Sequence, residues 1–322
     1  MKERIARVIE EMADTLDVSQ LRKLQEVMIK HLAENVTAKE DITNIEYEKL
    51  FLDAKRIEGC SDRTIAYYKA TIDHFLKMVH ESVRRLATED IRSYLVEYQG
   101  RNGCSKVTVD NVRRNLSSFF SWLEEEDYIL KSPMRRIHKI KTDKVVKQVI
   151  SDESIEKLRY SCEEVRDLAI IDLLYSTGIR IGELVNLNMD DVDFEKRECI
   201  VFGKGNKERR VYFDARAKIH LQEYIRSRKD DNPALFVTLD RPYNRLKING
   251  AEIRLRELGR KLNLDRIHPH KFRRTMATRA IDKGMPIEQV QKLLGHSQID
   301  TTMQYAIVNQ NNVKLSHQRY MT

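Results

Sequence analysis

The sequence predicts a mainly α-helical chain with one small antiparallel β-sheet, and three observations carry that reading. Glycine and proline are scarce, 11 and 5 in 322 residues, too few for an all-β fold built on tight turns. Apolar residues recur at helical spacing along most of the chain. The β-rich runs are confined to one stretch, Val192-Asp-Phe194, Cys199-Ile-Val-Phe202 and Arg209-Arg-Val-Tyr-Phe213, where GKGN at 203–206 supplies a hairpin turn between the last two. The length suits about two domains.

Residues 1–44 read as a helical N-terminal extension. Ile5, Val8, Ile9 and Met12 share a helical face, and Leu21, Leu24, Met28 and Leu32 continue the pattern after a start signal at Asp17. Residues 45–137 read as a small helical domain. Ser61 caps a helix whose apolar face is Ile65, Tyr68, Ile72, Phe75, Leu76 and Val79. Thr88, followed by Glu89 and Asp90, opens a second, with Ile91, Tyr94, Leu95 and Tyr98 on one side and a break at Gly100–Gly103. Ser105 opens a long third helix, with Val109, Val112, Leu116, Phe119, Phe120 and Leu123 inward and Lys106, Arg113 and Arg114 outward. Trp122, the only tryptophan, reads as a packing residue, and Ser132-Pro133 ends the domain's helical run.

Residues 138–150 read as a basic linker. It belongs to a run holding Lys131, Arg135, Arg136, Lys139, Lys141, Lys144 and Lys147 against the single Asp143. Such a run is either a solvated connection or a strap that tracks phosphates. Residues 151–322 form the second domain. Helices are expected near 152–160 and 164–177, stopped by Gly178. After the β-rich runs, helices resume near 215–229, 249–262, 270–283 and 287–294.

Composition excludes several classes. The opening MKERIARVIEEMADTL carries acids through its apolar positions and does not read as a secretory signal. The most apolar stretch, Leu168 to Tyr175, is broken by Asp172 and is far too short to span a bilayer, so no membrane partner is expected. Cys60, Cys104, Cys162 and Cys199 are widely spaced with no CxxC pair, which supports neither a disulfide framework nor a zinc ribbon. A cytoplasmic protein is the simplest reading. Lys and Arg number 58 against 50 Asp and Glu, a net charge of +8. It divides as −2 over 1–44, +4 over 45–150 and +6 over 151–322. The extension is thus a poor grip for a polyanion.

The residues able to do chemistry are cations, histidines and one tyrosine. Arg180 follows a helix stop, and Glu183 three residues on can pair with it and aim its planar fork at an anion. Lys204 sits between glycines in the hairpin turn; GxxxxGK[ST] is absent, so a P-loop is unsupported. His270 and Arg273 share a helix face near an N-terminus, with Arg274 beside them. His268 and His270 hint at a metal, but no ligand follows at the needed spacing. His296 follows Gly295, and Tyr305 comes nine residues later. Taken singly, each has an ordinary explanation: a surface arginine, a solvated turn lysine, a basic helix end, a packing tyrosine. Together they suit metal-free phosphoryl transfer with a tyrosine nucleophile, whose pKa of about 10 falls near cations.

Four separated strings, LLYSTGIRIGELVNL, VFGKGNKERRVYF, HPHKFRRTMAT and LLGHSQIDTTMQY, resemble in order the motifs of the tyrosine recombinase (phage integrase) family, in the style of its bacterial Xer-type members. They cover most of residues 170–305. The helical layout of 45–130 and SDRTIAYYKATIDHF are similar to the family's core-binding domain. The resemblance implies a helical, SAM-like DNA-binding domain followed by a mixed α/β catalytic domain. It implies that Arg180 and Arg273 clamp the scissile phosphate and that Lys204 is the general acid for the leaving 5′-oxygen. His270 would assist proton transfer, His296 would hold the phosphate, and Tyr305 would attack to form a 3′-phosphotyrosyl ester. Neither ATP, metal nor another cofactor is implied. The implied partners are duplex DNA, contacted by Lys106, Arg113, Arg114, Lys139, Lys141 and Arg274, and three further copies in a tetramer on two DNA sites. An accessory directionality factor is a further implied partner, and the tail 306–322 would pack on a neighbouring subunit.

Two departures refine this. Many relatives carry His where Arg274 stands, which leans toward a mobile-element recombinase rather than a housekeeping Xer enzyme. Residues 1–44 look helical and acidic, unlike the small β-rich arm-site domain of larger phage integrases. The alternatives are Xer-type dimer resolution, nicking and closing like a type IB topoisomerase, a non-catalytic DNA-binding relative, and a basic helical protein with an acidic partner.

Overall fold

The computed structural model describes residues 2–13, 15–34, 42–142, 148–203, 208–264 and 266–295. The chain separates into two compact units, Met1–Val145 and Val146–Thr322.

The first unit opens with α1 (Lys2–Met12) and α2 (Val18–Glu34), which pack on each other. The Asp17 carboxylate accepts from the backbone N–H groups of Ser19 and Gln20 at 2.8 and 2.9 Å, and Gln20 Oε1 accepts from Asp17 N at 3.1 Å. This reciprocal cap satisfies N–H groups that a helix start leaves open. Then come α3 (Asn44–Ile57), α4 (Asp62–Met78), α5 (Thr88–Asn102) and α6 (Lys106–Glu125). Ser61 and Ser105 cap α4 and α6 through their side-chain oxygens. α3, α4 and α5 all pack on α6, whose Val109, Val112, Leu116, Phe119, Phe120 and Leu123 are buried as expected. Phe51 meets Phe119 and Trp122 edge-on, with ring centroids 5.3 and 5.7 Å apart. Trp122 is a packing residue, and its Nε1 has no hydrogen-bond partner among the described residues.

α5 opens at Thr88 as expected, with Asp90 accepting the Ala87 N–H at 2.8 Å, while the Thr88 hydroxyl donates to Pro133 O at 2.9 Å. Other local expectations are corrected. The same helix runs through Gly100 and ends at Gly103, which takes the left-handed conformation. Arg113 does not face outward. Its side chain is 12% exposed and its Nε donates to Asp110 Oδ1 at 2.8 Å. Asp110 is buried one turn earlier, and a carboxylate out of water needs a counter-charge. The same oxygen accepts the Ile140 N–H at 3.0 Å. The chain beyond Ser132 therefore stays on this core. Pro133–Arg136 form a 3-10 turn with Met134 buried, and Ile137 and Ile140 pack against the cluster. Lys139 and Lys141 stand exposed on either side of Ile140.

The second unit holds α7 (Asp152–Tyr160), α8 (Val165–Thr177) and α9 (Ile181–Asn186), then β1 (Val192–Asp193), β2 (Glu198–Phe202) and β3 (Glu208–Tyr212). It continues with α10 (Ala215–Ser227), α11 (Ile248–Lys261), α12 (Pro269–Asp282) and α13 (Ile287–Leu294). The sheet is antiparallel in the order β1-β2-β3, with Cys199 opposite Val211 and Phe202 opposite Glu208. That register fits the expected β2–β3 pairing, and residues 204–207 between the strands lie outside the described residues. α8 is buried almost all round, and α10 and α12 pack on it. Its two buried acids are paired: Asp172 with Arg159 Nε at 2.6 Å and with His220, Asp167 with Arg166 at 2.8 Å and with Arg254.

The stop after α8 sets up the site. Gly178 has φ of 62°, and a Cβ there would stand 2.5 Å from Met276 Cε. The reversal makes Arg180 the N-cap of α9. Gly178→Ala is expected to destabilise the second unit by about 1–2 kcal/mol, the cost of a left-handed non-glycine residue. The single Trp122 lies in the first unit, so urea unfolding should show an earlier far-UV circular dichroism transition with an unshifted tryptophan fluorescence transition. A shift of the fluorescence transition alone would contradict this assignment.

Candidate active site

Arg180, Arg273 and His270 are brought to one region of the second unit by α9, α12 and the end of α13. Arg180 Nη1 donates to Glu183 Oε1 at 2.9 Å, and its backbone N–H donates to Glu183 Oε2 at 2.8 Å. The expected three-residue pairing is therefore present, with Glu183 also capping the helix that Arg180 begins. Arg180 Nη2 reaches Gly295 O at 3.2 Å, and its side chain remains 36% exposed. Arg273 is buried in α12. Its Nη1 donates to Gly178 O at 2.7 Å and its Nη2 to Leu294 O. Two guanidiniums from separate helices are thus fixed to the consecutive carbonyls of Leu294 and Gly295.

His270 lies on the exposed side of the first turn of α12. Its pKa is lowered, first by the partial withdrawal of the ring from water, then by the Arg273, Arg180 and Arg274 charges, against an opposing pull from Glu252. The ring is consequently held toward its neutral form, able to accept a proton. The His268 and His270 rings are 6.5 Å apart. Among the described residues, no group of three or more His, Cys, Asp or Glu is placed to hold a metal ion.

Lys204, His296 and Tyr305 lie outside the described residues. Of the side chains expected to meet a nucleic acid, Lys106, Arg114, Lys139 and Lys141 are exposed, with Arg114 Nη2 donating to Asn111 Oδ1 at 2.6 Å. Arg113 is committed to Asp110. Arg274 Nη1 donates to Gln148 O at 2.9 Å, and one residue on Thr275 Oγ1 accepts the Ile150 N–H at 2.9 Å. With Ile150 buried in the core, residues 148–150 are fastened along α12.

One cation escaped the sequence reading. Arg209 donates from Nη1 and Nη2 to the two oxygens of Glu183, at 2.6 and 2.8 Å, and from Nε to Leu293 O at 2.9 Å. The available signal was strand alternation: Arg209 shares a face of β3 with the buried Val211. Glu183 is buried, and burial alone would raise its pKa. The hydrogen bonds from Arg209, then from the Arg180 backbone and side chain, outweigh that and hold it below its ordinary value.

Comparison with known proteins gives a consistent outcome. The description "Phage integrase family" matches residues 142–312, and "Phage integrase, N-terminal SAM-like domain" matches residues 48–130. Tyrosine recombinase XerC of Leptospira interrogans is 32% identical over 292 residues, covering 87% of this chain and 91% of that protein. Among solved structures, the Tn1549 transposon integrase in complex with transposon right end DNA aligns with a TM-score of 0.70 at 21% identity, covering 86% of this chain and 99% of that one. The XerH site-specific recombinase bound to palindromic difH substrate aligns with a TM-score of 0.67 at 20% identity, covering 99% and 95%. The last two are likenesses of fold. No helix among the described residues is long and apolar enough to cross a membrane.

The depressed Glu183 pKa has a thermodynamic consequence. The unfolded carboxyl titrates near 4.5 and the folded one lower. Its contribution to stability is therefore complete above pH 4.5 and lost as pH falls through the folded value. Glu183→Gln should cost about 3 kcal/mol at pH 7, since it leaves two guanidiniums sharing no counter-charge. The gap between variant and wild type should close in acid. Urea midpoints followed by circular dichroism from pH 7 down to pH 3 would measure it, and a gap independent of pH would contradict the assignment.

Proposed function

The chain belongs to the phage integrase family of tyrosine recombinases, DNA strand-transfer enzymes, and we propose that it recombines specific DNA sites for a mobile element. In this reading the Tyr305 oxygen attacks the scissile phosphorus, forming a 3′-phosphotyrosyl bond while the 5′-oxygen leaves with a proton from Lys204. A partner strand's 5′-hydroxyl then attacks the ester, restoring the diester and returning the tyrosine. Bond energy is kept in the ester, so no ATP is consumed. Two such exchanges pass through a Holliday junction within a tetramer on two duplexes.

The observation that carries the reading is the pair of guanidiniums, Arg180 and Arg273, held against Leu294 O and Gly295 O. Fixed cations of this kind stabilise charge that grows on a phosphoryl group in the transition state. The lowered pKa of His270 supports its part as a proton acceptor near the nucleophile, and His296 completes the phosphate contacts. In the first unit, exposed Lys106, Arg114, Lys139 and Lys141 are proposed to meet the duplex backbone. The domain division follows the same scheme: an N-terminal extension over 1–44, a core-binding domain over 45–137, a linker over 138–150 and a catalytic domain over 151–322. The location is proposed to be cytoplasmic.

A second reading, Xer-type dimer resolution, is favoured by the name of the XerC relative and its 91% coverage. One experiment addresses both. Wild type and Tyr305→Phe are incubated, without metal or ATP, with nicked duplexes drawn from the DNA around the protein's own gene. A denaturing gel is expected to show a DNA–protein adduct with wild type alone. Sequencing the trapped duplexes separates the readings, by sites at the ends of an element or at a single chromosomal locus. DNA binding without an adduct in the wild type would overturn the catalytic reading. The affinity for a trapped duplex should fall by about 0.9 log units per log unit of salt for each phosphate neutralised.

A further inference from the structure

Arg209 joins three segments that each border a residue proposed to act on the phosphate. Its terminal nitrogens grip Glu183, the carboxylate that orients Arg180. Its Nε holds Leu293 O in the last turn of α13, beside the Leu294 carbonyl that fixes Arg273. Its side chain also lies against Gly295, where a Cβ would come 3.0 Å from Arg209 Cδ and 3.1 Å from Nε. Gly295 has φ of 63°, and its carbonyl accepts from Arg180. The Arg209 side chain is 13% exposed. Only a planar fork with several donors makes this set of bonds, and a lysine ammonium does not.

An arginine fastening a strand to a helix would be ordinary structure, but the way Glu183 is shared argues for more. Glu183 Oε1 accepts from both Arg180 Nη1 and Arg209 Nη1. Were Arg209 absent, the full carboxylate charge would fall on Arg180, pulling it inward and neutralising it. With Arg209 present, two cations divide one anion, and the more exposed of the two, Arg180, keeps part of its charge for a ligand.

We infer that Arg209 is a positioning residue for strand transfer: by dividing Glu183 with Arg180 and fastening the end of α13, it sets the orientation and effective charge of Arg180 toward the scissile phosphate. This rests on the recombinase reading of the site.

The test uses the intact chain and a duplex trapped by wild type as described above. Single-turnover adduct formation by Arg209→Met is expected to slow by about 10- to 100-fold, the scale of a misplaced catalytic group, with duplex affinity within a factor of about two. Arg209→Lys should recover part of the rate. In an Arg180→Ala background the Arg209→Met penalty should vanish, because its target is gone. On a duplex whose scissile phosphate is a methylphosphonate, lacking the charge that Arg180 meets, the penalty should shrink toward unity. Circular dichroism checks folding, and if Arg209→Met does not fold, Arg209→Lys carries the same comparisons. A wild-type rate in Arg209→Met, or an undiminished penalty in the Arg180→Ala background or on methylphosphonate, overturns the inference alone. Absence of any wild-type adduct despite DNA binding overturns the recombinase reading, and the inference with it.

Discussion

A buried carboxylate shared between two guanidiniums is the constraint on which the rest of the second unit depends. Glu183 cannot be ionised out of water without strong donors, and the loss of either guanidinium would throw its whole charge onto the other. Each donor comes from a different part of the chain. Arg180 arrives because Gly178 reverses the backbone after α8, and Arg209 arrives because β3 pairs with β2 in a register that turns it inward beside Val211. The end of α13 is drawn in through the Leu293 and Gly295 carbonyls. The sheet of three short strands thus brings Arg209 to a site whose other described residues come from helices.

α12 extends the same logic through opposite sides. Arg273 holds carbonyls of Gly178 and Leu294, and so joins the stop of α8 to the end of α13. Arg274 and Thr275 hold Gln148 O and the Ile150 N–H, the last residues of the linker. The helix that carries His270 and Arg273 is therefore the helix on which the incoming chain is fastened. The linker's other end is fastened too, through Ile140 on Asp110.

Much of this was legible in the sequence because it is local. Caps at Ser61, Ser105 and Asp17, the apolar face of α6 and the Arg180–Glu183 spacing all depend on residues within a turn or two. What escaped was set by distance along the chain. From its spacing alone Arg113 is expected to face outward with Lys106 and Arg114. The reason it turns in is Asp110, whose burial is completed by Ile140, 30 residues away from that acid. Arg209 was read as one residue of a strand, since its partners lie 26 and 84 residues away. Spacing rules cannot reveal such partners, although an arginine at an inward position of a strand is a signal that a buried acid is waiting for it.

The charge balance of the site explains why so much structure is spent on it. Arg180 and Arg209 converge on the buried acid Glu183, and Arg273 is held by the carbonyl dipoles of Gly178 and Leu294. Carbonyls fix a guanidinium's position without cancelling its charge. A surplus of fixed positive charge works against folding through self-repulsion, and natural chains keep such a surplus where function requires it. In the proposed reading a bound phosphodiester supplies the missing negative charge. Preorganised cations then need no rearrangement as charge builds on its oxygens, which is where electrostatic catalysis gains most of its advantage over water.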